Sequence, residues 1–169
     1  MTIKIGDSLP AGTLVESIGY DDGKNCPMPP QPVDIAALCA GKKVVIFGLP
    51  GAFTPTCSGS HVPGYLKNYD ALKAKGVDAI VCMAVNDGFV MGAWGRSQNV
   101  GDKIRMLGDG SAAFTKALGL ELDLTAKGMG VRCQRFSLLV DNGVVKQVNV
   151  EGVGPANCSF AENMLAQLG

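Results

Sequence analysis

Six cysteines and a lone histidine are the side chains best equipped for chemistry in this 169-residue chain. The thiols stand at positions 26, 39, 57, 82, 133 and 158, and the imidazole at position 61. Metal ligation and nucleophilic thiolate work compete for such a set. A structural zinc takes about four closely placed ligands. Here the cysteines are scattered, no CxxC pair occurs and His61 is the one imidazole, so no metal is expected. A secreted disulfide scaffold is shorter and denser in cysteine. Reduced, independent thiols are the starting expectation.

What precedes Cys57 sets it apart. Thr54-Pro55 reads as a helix start, a hydroxyl N-cap followed by proline at the first helical position. Cys57 then falls in the first turn, where orphan amides and the helix dipole favour a negative charge. The thiolate is the reactive form of cysteine, and a helix N-terminus is one setting that promotes it. For Cys39, Cys82 and Cys133 the ordinary reading is a small buried apolar side chain. Cys82 in particular sits among Ile80, Val81 and Met83. His61 follows Cys57 by four residues, on the same helical face. A hydrolytic Cys-His pair needs hydrogen-bond reach and a third, orienting group. None is evident, and packing on the helix surface is expected of His61.

These residues need a frame. The first forty residues read as irregular, with a loop of turn-formers from Asp21 to Pro30, and Asp34 as the cap of a short helix. Val44-Val45-Ile46-Phe47 is a short apolar run of the kind found in buried parallel strands. The helix begun at Thr54-Pro55 is expected to reach about residue 75, interrupted or kinked at Pro63. Strands are expected over 77–85 and 104–107, with a helix opened by Asp87 between them and another over 112–118. Asp141-Asn142-Gly143 joins strands 135–140 and 144–150 as a hairpin. Ser159-Phe160-Ala161-Glu162 reads as a capping box for a last helix. A βαβ half followed by a ββα half is the thioredoxin arrangement: an α/β protein, a mixed central sheet with helices on both faces, in one domain over 1–169.

Apolar residues make up 47% of the chain and charged ones 18%, with no net charge, which describes a packed globule. That balance gives no reason to expect nucleic acid or an anionic membrane as partner. No apolar run approaches the roughly 20 residues of a membrane span, and no secretory leader is evident, so a soluble, cytoplasmic protein is expected.

Pro50-Gly51-Ala52-Phe53-Thr54-Pro55-Thr56-Cys57 matches the PxxxTxxC signature, and the chain resembles the peroxiredoxins, specifically the type-II or peroxiredoxin V class. Ser58, His61, Pro63-Gly64, Val85-Asn86-Asp87, Trp94-Gly95-Arg96, Arg135-Phe136-Ser137 and Val148-Asn149-Val150-Glu151 extend the resemblance over nearly the whole chain. The loop 26–32 is longer than the class leads one to expect.

The resemblance implies a thiol-dependent reductase of hydrogen peroxide and alkyl hydroperoxides that uses no cofactor. Cys57 is then the peroxidatic thiolate, with Thr54 offering its hydroxyl to thiolate and substrate. Arg135 supplies positive charge to the sulfur and the leaving oxygen, and Arg132 ranks second for that role. Pro50 shields the site from water, and the amides of Thr56 and Cys57 bind substrate. A sulfenic acid on Cys57 needs a second thiol. Cys158, just before the last helix, is the favoured resolving residue; Cys82, in a strand, matches the branch resolved by glutaredoxin or glutathione. Thioredoxin, glutaredoxin or glutathione is the implied reductant. The resemblance further implies a homodimer, through the face near Trp94-Gly95-Arg96. Two other readings compete: a thiol transferase, from Cys57-Ser58-Gly59-Ser60, and a redox sensor that passes oxidation to a partner.

Overall fold

In the N-terminal forty residues the chain is more regular than its composition suggests. The structure, a computed structural model describing residues 1–152 and 156–169, begins with strand β1 (Thr13–Glu16), which buries Leu14. Two short strands, β2 (Tyr20–Asp21) and β3 (Cys26–Pro27), pair antiparallel and turn the long loop into a small hairpin. β4 (Gln31–Asp34) then pairs antiparallel with β1 and forms one edge of the main sheet. An edge is where Pro32, which has no amide to give a neighbour, is tolerated. Asp34 caps α1 (Ile35–Cys39) by accepting from the Ala37 amide, as its position predicts.

β5 (Lys43–Gly48) is covered on both sides, Val45 and Phe47 facing one core and Val44 and Ile46 the other. That is why its sequence is continuously apolar. Helix begins at Pro55, widens into a π-helical turn over Cys57–His61 and continues as α2 (Val62–Lys67). Pro63 does not break it: it follows directly on the widened turn, in which the Val62 amide reaches back five residues to the Cys57 carbonyl. The break comes at Asn68, whose side-chain amide donates to the Gly64 carbonyl at 2.8 Å, and α3 (Tyr69–Ala74) follows.

β6 (Ala79–Ala84) lies parallel to β5. Asp87 caps α4 (Gly88–Ser97) through the Val90 amide, and β7 (Arg105–Gly108) runs parallel to β6. After α5 (Ala113–Leu118), a separate antiparallel pair forms, β8 (Glu121–Leu124) with β9 (Gly130–Cys133). β10 (Phe136–Asp141) and β11 (Val144–Val150) make the expected hairpin, with Asn142 and Gly143 at φ 48° and 77°. Positive φ at both positions is what a tight hairpin turn demands and what Asn-Gly supplies. The last helix is α6 (Ala161–Leu168).

The main sheet runs β11-β10-β5-β6-β7-β1-β4. One face packs Tyr65, Leu72, Trp94 and Met164 from α2, α3, α4 and α6, and the other packs Ile35, Leu38, Phe114 and Leu118 from α1 and α5. This is the thioredoxin-like α/β arrangement, with β5, an interior strand between β10 and β6, delivering the chain directly into the Cys57 helix. No described helix is long and apolar enough to cross a membrane.

Candidate active site

The loop between β5 and Cys57 is tied down by hydrogen bonds at several points. The Ala52 amide donates to Asn86 Oδ1 at 2.9 Å, and Arg132 Nη1 donates to the Pro50 carbonyl at 3.3 Å. Phe53 adopts φ 62°, a left-handed backbone that costs a bulky residue of order 1 kcal/mol and persists because both sides of the turn are tethered. A Cβ on Gly51 would lie 2.8 Å from Arg132 Nη1, so glycine is what lets the guanidinium close over the loop.

Helix starts where Thr54-Pro55 predicts, but the threonine hydroxyl is used differently. Thr54 Oγ1 donates back to the Gly51 carbonyl at 2.8 Å rather than accepting from the helix. The first helical bond runs from the Ser58 amide to the Thr54 carbonyl at 3.0 Å, so the amides of Thr56 and Cys57 precede the ladder. Pro50 and Thr54 are half-buried and Thr56 is exposed, while Cys57 is fully enclosed.

Arg135, on the link between β9 and β10, places Nη2 at 3.2 Å from Cys57 Sγ. Arg132 instead spends its guanidinium on the loop, through Pro50 O and, from Nε, Met129 O at 2.8 Å. The other terminal nitrogen of Arg135, Nη1, lies 2.9 Å from His61 Nδ1. His61 packs inward rather than on an open helix surface: it is 1% exposed, its ring tilted against Phe47 and Phe160, with Nε2 3.2 Å from the Ser159 carbonyl. The helix turns this face toward β5 and α6, which no local pattern announces. Burial, and then the Arg135 charge, push the His61 pKa down to about 3. The four-residue spacing from Cys57 was the available signal; the partner 74 residues away was not visible.

Four of the other cysteines are held as thiols. Cys82 is fully buried on the sheet face that also carries Cys57, and burial pushes its pKa well up. Burial raises Cys133, whose thiol donates to the Leu49 carbonyl at 2.9 Å, to about 12, and raises Cys39 to about 11. Cys158 is half-buried, and burial followed by the neighbouring Glu151 carboxylate raises it to about 11. Burial alone would also raise Glu151, but hydrogen bonds from the Ser159 amide and hydroxyl, both at 2.7 Å, bring it below the usual carboxylate range. Ser159 is therefore not the cap of α6: its hydroxyl turns to Glu151, and Phe160 takes the cap position. Glu162, the other half of the expected capping box, accepts from Asn68 Nδ2 at 3.1 Å. By sequence, the glycines at 152 and 154 suit the loop ahead of Cys158 to movement; Gly154 lies outside the described residues.

Trp94 and Gly95 are buried, the indole nitrogen donating to Ser58 Oγ at 3.0 Å, while Arg96 beside them is exposed.

The redoxin family model matches residues 4–165. Peroxiredoxin-2C of Oryza sativa subsp. japonica is 49% identical over 166 residues, covering 98% of each chain. Peroxiredoxin-2D of Arabidopsis thaliana is 46% identical with the same coverage. Among solved structures, reduced Prx3 in complex with hydrogen peroxide from Vibrio vulnificus is 48% identical at a TM-score of 0.89, over 99% of this chain and 100% of that one. The chain belongs to the redoxin family, and within it to the type-II peroxiredoxins, which are thiol peroxidases.

Proposed function

We propose that Cys57 is the peroxidatic residue of a cycle that reduces hydrogen peroxide and alkyl hydroperoxides, with Arg135 as its electrostatic partner. The observation that carries this reading is the 3.2 Å contact between Arg135 Nη2 and Cys57 Sγ at a helix start. In the first step the Cys57 thiolate attacks one peroxide oxygen. A sulfur–oxygen bond forms as the oxygen–oxygen bond breaks, and the electron pair leaves with the distal oxygen, which takes a proton to become water or an alcohol. Arg135 stabilises the sulfur anion before attack and the leaving oxygen after it. Thr54 contributes its hydroxyl after turning from the Gly51 carbonyl to the substrate, the Thr56 and Cys57 amides donate further bonds, and Pro50 shields the site. The enclosure of Cys57 favours a small peroxide, and the relative crystallised with hydrogen peroxide supports that substrate.

The product, a sulfenic acid, condenses with a second thiol, expelling water and leaving a disulfide. Cys158 is our assignment for that thiol, because it is partly accessible beside a chain segment, whereas Cys82 is sealed in the centre of β6. With a pKa near 11, Cys158 must first leave Glu151, so resolution is coupled to movement of the segment ahead of α6. Thioredoxin, glutaredoxin or glutathione then supplies two electrons and two protons to restore both thiols, which suits a reducing, cytoplasm-like compartment. Phe53 and Phe89, 58% and 49% exposed, support a homodimer that covers them. A steady-state assay with each reductant, combined with peptide mapping of the peroxide-treated chain, tests the cycle: a Cys57–Cys158 bond supports it. A Cys57–Cys82 bond, or a Cys57 that pairs only with added glutathione, overturns the assignment of Cys158.

A further inference from the structure

Arg135 reaches Cys57 with one nitrogen of its guanidinium, and the other end of that group is held by the His61 ring. An arginine has donors and no acceptors. His61 Nδ1, 2.9 Å from Arg135 Nη1, therefore presents a lone pair, and the ring proton sits on Nε2, directed at the Ser159 carbonyl 3.2 Å away. That carbonyl also accepts from the Tyr65 hydroxyl at 2.8 Å, and the Ser159 amide and hydroxyl are fixed by Glu151. Every atom of the chain from Glu151 through Ser159, His61 and Arg135 to Cys57 thus has a defined role as donor or acceptor.

We propose that His61 is a positioning residue whose Nδ1 lone pair orients the Arg135 guanidinium on Cys57, with the Ser159 carbonyl fixing the ring. The proposal rests on the reading that Arg135 serves the Cys57 sulfur. Its chemical sense lies in what the acceptor is not. A carboxylate in the same place would hold Arg135 as firmly, but would neutralise the charge that the thiolate needs. A neutral imidazole restrains a side chain rich in rotamers and leaves its charge free. The groups facing the ring are Arg135, the Tyr65 hydroxyl through the shared carbonyl, Glu151 through Ser159, and the apolar rings of Phe47 and Phe160. Burial and Arg135, the larger influences, hold the ring neutral at working pH.

Because His61 is the chain's one histidine, its imidazole nitrogens can be followed by NMR in the intact, unsubstituted protein. The expected spectrum shows an unprotonated Nδ1 and a protonated Nε2 throughout pH 5.5–8; a proton on Nδ1 in that range overturns the proposal. Three variants separate the two ends of the ring. The carbonyl of asparagine sits near the Nδ1 position, and the terminal amide of glutamine near Nε2. His61→Phe and His61→Gln are expected to slow Cys57 alkylation by iodoacetamide at pH 7, read by peptide mass spectrometry, by about tenfold, as for loss of one hydrogen bond. His61→Asn is expected to recover most of that loss. Equal alkylation rates in folded His61→Phe and the parent contradict the proposal, as does rescue by glutamine and not asparagine. Neither readout uses peroxide, so the result stands apart from whether Cys57 is the peroxidatic residue.

Discussion

Glu151 Oε1 receives both the amide and the hydroxyl of Ser159, each at 2.7 Å, and so anchors the chain just after Cys158. Charge-assisted bonds of this kind contribute more than neutral ones, and removing the acceptor leaves half-buried donors unpaired. Glu151→Ala is expected to lower stability by about 1–3 kcal/mol in urea unfolding. It is also expected to speed alkylation of Cys158, whose pKa the carboxylate helps to raise. An unchanged urea midpoint with unchanged Cys158 reactivity contradicts this.

His61 makes the fold sensitive to mild acid. Its pKa falls from 6.5 to about 3 on folding, so below 6.5 the unfolded chain binds a proton that the folded one refuses. Stability is therefore complete above that pH and declines below it, by at most about 1.4 kcal/mol per pH unit. By pH 5 the loss is on the order of 2 kcal/mol. Most carboxylates titrate lower, so the window from 6.5 to 5 reports on His61. His61→Asn is expected to flatten the decline in that window, as measured by urea unfolding across pH. The same slope in variant and parent assigns the acid sensitivity elsewhere.

The two nearby arginines are expected to differ sharply. Arg135→Gln removes a charged donor from an enclosed site and is expected to slow peroxide reaction about a hundredfold, near 3 kcal/mol. Arg132→Gln loosens the loop at Pro50 and is expected to cost less than about tenfold, because the Asn86 tether to Ala52 remains. Stopped-flow oxidation of both variants checks the ranking; a larger loss for Arg132→Gln reverses it.

Where local chemistry decides, the sequence could be read directly. Asp34 and Asp87 are caps in sequence and in structure, Asn142-Gly143 is the hairpin turn, and the apolar run 44–47 is a buried interior strand. Where two distant segments decide, it could not. Thr54 and Ser159 carry good capping hydroxyls, yet even the nearby Gly51 carbonyl and Glu151 carboxylate take them, because the loops fold back on themselves. β1 and β4 are four residues each and are strands because β7 offers β1 an edge and β1 in turn offers one to β4. His61 looked like a surface residue because its acceptor and donor partners, Ser159 and Arg135, arrive from the other half of the fold.

Cys158→Ser isolates resolution from attack. The first oxidation of Cys57 is expected to proceed at the parent rate, because Arg135 and the helix start are untouched. Turnover then falls, and sulfenic and later sulfinic acid accumulate on Cys57. Mass spectrometry over a peroxide titration follows this; full turnover in the variant makes Cys158 a bystander.

The most direct test of the account is where the first oxygen lands. Cys158→Ser protein treated with one equivalent of hydrogen peroxide and trapped with dimedone is expected to carry the adduct on Cys57 alone, and Cys57→Ser is expected to carry none and to consume no peroxide. An adduct on Cys39, Cys82 or Cys133, or peroxide consumption that survives Cys57→Ser, contradicts it.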